Sequence, residues 1–92
     1  MSDGCRLTRF REREAIAPEA IAALCGIAPK TLDHIEHGGY LDIADEMALK
    51  LLFGDRFGRG VLLARDIADN EDQILDEITL AYNRTLAAWF GK

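Results

Sequence analysis

The stretch Ala17–Gly38, APEAIAALCGIAPKTLDHIEHG, decides how this chain folds. Pro18-Glu19 opens one helix, Pro29-Lys30 opens a second, and Gly38 follows the last periodic residue. Proline just inside a helix start and glycine just past its end are boundary signals. The proline ring presets the first turn, and its missing N–H would be unpaired there anyway. Ala22, Leu24, Ile27, Leu32 and Ile35 put small or apolar side chains where two crossing helices touch, and Gly26 stands where the chain must reverse. Two short helices around a glycine-containing turn make a helix-turn-helix unit.

Outward from this unit the chain continues to read as helix. Leu7 and Phe10 predict a first helix over about residues 6–15, with its arginines on the wet face, after a frayed polar leader over 1–5. Beyond Gly38-Gly39, Asp42 reads as the N-cap of a fourth helix and Asp45 as its first-turn acid. Met47, Ala48, Leu51 and Leu52 give that helix an apolar stripe ending at Gly54. The run GDRFGRG over 54–60 is a turn or hinge. A fifth helix is expected from Val61 to about Ala68. Asn70 with Gln73 predicts a capping box that starts a sixth helix at Glu71, an unbroken helix through 69–70 being the alternative. Ile74, Ile78, Tyr82 and Leu86 then recur every four residues, flanked by Leu75, Trp89 and Phe90. No strand-like alternation or internal repeat interrupts this pattern. The expectation is an all-α single domain over 1–92 with five to six helices, a helix-turn-helix core over 6–54 and an amphipathic extension over 61–90.

The net charge of −5 and a pI near 4.9 count against an electrostatic grip on phosphates. The charge is polarised, however. Arg6, Arg9, Arg11 and Arg13 crowd the first helix, while Asp66, Asp69, Glu71, Asp72, Asp76 and Glu77 crowd the C-terminal third. No apolar run is long enough to span a bilayer and no signal sequence is evident, so a cytoplasmic location is expected, with no membrane partner. Cys5 and Cys25 do not make a disulfide framework and read as reduced thiols, a dimer-linking bond through Cys5 being the alternative.

From about Leu7 to Leu52 the chain resembles the phage-repressor and Cro type of helix-turn-helix domain, the XRE family. Leu7, Phe10-Arg11, Ile16, Ile21-Ala22, Gly26-Ile27, Thr31-Leu32, Ile35-Glu36, Gly38 and the Leu49–Leu52 helix carry the resemblance. It implies a lambda-repressor-like bundle and a dimeric transcription regulator whose second motif helix enters the major groove. It also implies a structural ion pair between Arg11 and Glu36. The recognition positions fall on Pro29, Lys30, Asp33 and His34, with Thr31 and His37 nearby. Lys30 suits guanine O6 or N7, His34 donates or accepts, Asp33 accepts from cytosine N4, and Thr31 suits a phosphate or a thymine methyl. The chain departs from the pattern at Ala17-Pro18, where Ser-Gln or Thr-Gln is frequent, at Ala28, a usual Ser or Thr cap, and at Pro29.

Two functions follow. The first is a sequence-specific, repressor-like DNA-binding regulator, a homodimer on a palindromic duplex site. Here Arg9 and Arg13 sit near phosphates, and Ile78, Tyr82, Leu86, Trp89 and Phe90 form the dimer or partner surface unless that stripe packs on the chain's own core. The second is a protein-binding module on the same fold, such as an antiactivator, an antitoxin-like partner or an inhibitor of a DNA-binding protein. It would use Ile74, Ile78, Tyr82 and Leu86 as anchors. An enzyme is not expected: Asp33, His34, Glu36 and His37 share a helix with no nucleophile motif. Cys25, His34 and His37 lack metal-site spacing, and GDRFGRG lacks the Lys-Ser/Thr ending of a phosphate loop, so neither metal nor cofactor is expected.

Overall fold

Three aromatic side chains from distant parts of the chain meet at the centre of the molecule. The Phe10 ring stands edge-on to Phe53 at 5.5 Å and to Tyr82 at 5.4 Å, while Phe53 and Tyr82 stack at 5.8 Å. They join three of the helices in the computed structural model, which describes residues 4–91. These helices are α1 Arg6–Glu14, α2 Pro18–Cys25, α3 Pro29–Glu36, α4 Ile43–Phe53, α5 Arg59–Leu62 and α6 Glu71–Phe90. No strand occurs among the described residues, and the chain is an all-α bundle. No helix among them is long and apolar enough to cross a membrane.

One hydrophobic core runs through the bundle. Leu7 and Phe10 of α1, Ile21 of α2, Leu32 and Ile35 of α3, Leu49, Leu52 and Phe53 of α4, and Ile78 of α6 are all fully buried. α2 packs on both α3 and α4, α4 on α6, and α1 on α6. Asp42 caps α4 by accepting the Asp45 N–H at 2.8 Å, as its position predicts.

α1 and α2 end the same way. The Ile16 N–H reaches back to the Arg11 carbonyl at 2.8 Å, and the Ile27 N–H to the Ala22 carbonyl at 2.9 Å. This closure puts the intervening residue in the left-handed region, at φ 69° for Gly26 and φ 57° for Ala15. Glycine adopts that region freely; alanine does so against its Cβ.

Four expectations are corrected. The arginines of α1 are not all on a wet face: Arg6 and Arg9 are buried against Glu71. Cys5 is not in a frayed leader but buried in the core at 1% exposure, beyond reach of an intermolecular disulfide; residues 1–3 of that leader lie outside the described residues. The helix expected over 61–68 is a single turn, Arg59–Leu62. Its continuation is stopped because the Ala64 carbonyl accepts the Arg6 N–H at 2.8 Å and the Val61 and Arg65 carbonyls accept arginine side chains from α1. α6 does start at Glu71, but Asn70 makes no side-chain cap. Glu71 itself accepts the Ala68 N–H at 3.0 Å, and Gln73 turns to Glu77 instead.

The two left-handed closures give opposite expectations for exchange between glycine and alanine. Ala15→Gly raises the unfolding free energy by about 0.5–1 kcal/mol, and Gly26→Ala lowers it by about 1 kcal/mol through backbone strain alone. A Cβ on Gly26 meets nothing within 4 Å, so crowding plays no part. Urea midpoints measured at unchanged slope check both signs.

Candidate nucleic-acid interface and a second exposed face

α3 divides cleanly into an inner and an outer side. Leu32 and Ile35 enter the core, and Glu36 is buried against α1. The Arg11 guanidinium donates to Glu36 through Nε and Nη2, both at 2.7 Å, and through Nη1 to the Ile16 carbonyl at 3.2 Å. A two-pronged arginine–carboxylate contact fixes orientation as well as distance. It therefore sets the rotation of α3 about its own axis. With that rotation set, Pro29, Lys30, Asp33, His34 and His37 are exposed and Thr31 is half-buried.

The N-termini of α2 and α3 open onto one shallow groove of about 410 Å³, with Arg11 and Glu36 also in its lining. Neither Ala17 nor Ala28 offers a side-chain cap, so the first N–H groups of both helices are left to solvent or a ligand. Lys30 stands at this groove. So do Glu12, Glu19 and Asp33, which makes the electrostatics mixed rather than basic. His37 is turned back: its Nδ1 lies 2.8 Å from the Asp33 carbonyl and 3.3 Å from Asp33 Oδ1. Lys30 and His34 remain as the outward polar groups of the helix.

The structure brings Pro29, Lys30, Thr31, Asp33, His34 and His37 together on one helix, but separates the two arginines assigned to phosphates. Arg9 is buried, donating to Glu71 at 2.9 Å and to the carbonyls of Gly4 and Arg65. Arg13 faces α6, ion-paired to Glu14 at 2.9 Å and Asp76 at 3.0 Å and donating to Thr79 at 3.1 Å. Arg9 is shut off from solvent, while Arg13 is exposed but held by surface pairs to α1 and α6. One cation at this end was not anticipated. Arg65, on the loop after α5, donates to the Glu36 carbonyl at the C-terminal end of α3 at 2.9 Å. Nothing local in the sequence signals that long-range contact.

The interface expected on α6 is also redrawn. Ile78 and Tyr82 are 0% and 7% exposed and belong to the core, and the partly buried Ile74 and Leu86 pack against it. Of the expected interface residues only Trp89 and Phe90 emerge, edge to face at 6.4 Å in the last turn, with Leu80 as a further exposed apolar side chain of α6. A larger apolar surface lies elsewhere. Tyr40 is 84% exposed, Ile43 73%, Met47 60% and Leu51 72%. The stripe expected through Met47, Ala48, Leu51 and Leu52 is really two. Leu49, Leu52 and Phe53, with Ala48, face the core, and Ile43, Met47 and Leu51 form a second row on the opposite side. Two apolar rows on opposite sides, parted by Asp45, Glu46 and Lys50, give the helix more apolar positions than one buried face needs.

Burial pushes the Cys25 thiol up to about 11, with the Asp45 charge adding to the effect, so it is a poor nucleophile at neutral pH. Among the described residues no three His, Cys, Asp or Glu side chains gather where they would hold a metal ion. Compared with protein-family models, curated proteins and solved structures, the chain finds no match. The fold class rests on the coordinates, and the family resemblance on the residues that carry it.

The buried joint between α1 and α3 gives a test by paired substitution. Arg11→Leu strands the Glu36 carboxylate and costs about 3–5 kcal/mol, whereas Arg11→Leu with Glu36→Leu costs less than Arg11→Leu alone. A urea-denaturation cycle reads the difference.

Proposed function

We propose that this chain is a helix-turn-helix regulator that binds duplex DNA through the outer side of α3, working as a two-fold dimer. The observation that carries this reading is the presentation of α3. A buried ion pair fixes its rotation, Lys30, Thr31 and His34 lie along its outer side, and Lys30 stands at the groove onto which two uncapped helix N-termini open. Helix N-termini favour phosphate, and a lysine with an imidazole on successive turns suits the edges of base pairs.

The charge inventory sets the character of that binding. Arg9 and Arg13 are engaged within the fold, and Glu12 and Glu19 flank Lys30. Few phosphates are neutralised per copy, so affinity comes from duplicated base contacts more than from electrostatics. With one to two phosphate contacts per copy, the dimer's log–log salt slope is about −2 to −4, shallower than for strongly basic repressors.

The acidic rim of the groove favours a second reading, a protein-binding module on the same fold, because Glu12, Glu19 and Asp33 oppose the approach of a polyanion.

Selection from a pool of randomised duplexes at low and moderate salt separates the two. The expected result is enrichment of a palindrome that Lys30→Ala with His34→Ala abolishes, with that shallow slope. No enrichment and no salt-sensitive retention would overturn the DNA reading in favour of the protein module.

A further inference from the structure

The outer row of α4 has no partner within the chain. Ile43, Met47 and Leu51 recur every four residues along one side of α4, all more than half exposed, and Met47 and Leu51 also line a shallow depression with Lys50 and Asp55. Isolated exposed apolar side chains are ordinary, but a contiguous set is a contact surface. We propose that a second copy of this chain docks here, with the two α4 helices antiparallel about a two-fold axis at Met47.

Three observations select that occupant. The first is the row itself. Ile43, Met47 and Leu51 are evenly spaced, so an antiparallel copy centred on Met47 places Met47 on Met47 and each Ile43 on the other copy's Leu51. A two-fold interface must be self-complementary in this way. The second is charge. α4 carries Asp45 and Glu46 in its first turn and Lys50 in its last. Antiparallel pairing sets the acidic end of each helix against the lysine end of the other, with opposed helix dipoles, whereas parallel pairing sets like against like. Helical geometry puts Glu46 and Lys50 on one flank of the row, and both approach Gly58. Each Lys50 therefore comes near the acidic first turn of the other copy, where Glu46 also holds Arg59 of its own chain at 3.4 Å.

The third is area. At about 200 Å² per large side chain, Ile43, Met47 and Leu51 expose roughly 400 Å² of apolar surface per copy. With the flanking Ala44, Lys50 and Asp55 the face approaches the ~600 Å² per partner at the lower end of specific interfaces. The end of α6 offers less: Trp89 and Phe90 pack on each other, and Leu80, the other large exposed apolar side chain of α6, lies more than two turns away.

This inference deepens the two-fold reading above and rests on it for its use on DNA. Its test contains no DNA, so the two fail separately. Sedimentation equilibrium of the full chain at about 100 µM, a concentration suited to an interface of modest area, is expected to give a dimer. Leu51→Asp changes an exposed position, so it keeps its helical circular dichroism and weakens the dimer at least about tenfold. Lys50→Glu also weakens it. Met47→Cys on the axis yields a covalent dimer under mild oxidation, and Phe90→Asp leaves the equilibrium unchanged. A monomeric wild type, a dimer that survives Leu51→Asp, or one lost in Phe90→Asp overturns the proposal.

Discussion

One buried carboxylate governs how this chain is put together. Glu71, 8% exposed at the start of α6, accepts Nε and Nη2 of Arg6, Nε and Nη2 of Arg9 and the Ala68 N–H, all at 2.9–3.1 Å. Two cations against one anion would leave a buried charge unbalanced. The Val61 carbonyl takes a further proton of Arg6, and the carbonyls of Gly4, Ala64, Arg65 and Asp66 take those of Arg9. Among the described residues no buried side-chain nitrogen or oxygen is left without a partner. Removing one member of such a cluster costs far more than its net contribution, because the rest are left charged in a poor solvent. The cluster also dictates local structure. The chain over 63–70 cannot continue α5 while its carbonyls serve α1, and α6 is held to α1 at a fixed point.

That constraint explains which parts of the fold were legible in the sequence. Pro18, Gly26, Pro29 and Gly38 bound α2 and α3 because the physics of a helix end is local. Asp42 caps α4 for the same reason. Arg6, Arg9 and Glu71 were not legible as a unit: two arginines three apart beside leucine and phenylalanine look like a solvated face, and their partner is more than sixty residues away. The consequence spreads: the sequence alone assigns Arg9 to phosphate and 61–68 to helix, where the structure has a buried ion pair and a single helical turn ending at Leu62. The row on α6 failed differently. Ile78 and Tyr82 have the right periodicity for either a core or an interface, and periodicity alone does not say which side has a neighbour. α4 is the complement, since its second row became an exposed face once Leu49, Leu52 and Phe53 had taken the core.

The candidate site inherits its character from these commitments. Arg6, Arg9 and Arg13 of α1 hold α6, so the outer side of α3 is left with Lys30, Asp33 and His34 and two open helix ends among acids. On the proposed DNA reading such a surface grips phosphate weakly and leaves the weight of recognition on geometry. A dimer formed through α4 fits that economy, because two modest contacts act together at high effective concentration.

The central claim is that Glu71 is ionised and clasped by arginine in the folded protein. Hydrogen bonds from Arg6, with those from the Ala68 N–H and Arg9, outweigh burial and hold its carboxyl down to about 2. A depressed folded value means that the stability it contributes is present above the unfolded value of about 4.3 and is lost as pH falls through the folded one. The direct measurement is the carbon chemical shift of the Glu71 carboxyl followed by NMR from pH 7 downwards. The account predicts that it stays ionised through the range of an ordinary glutamate, about 4.3, and moves only near pH 2 or with acid unfolding. A midpoint at the ordinary glutamate value in a chain still folded would contradict it.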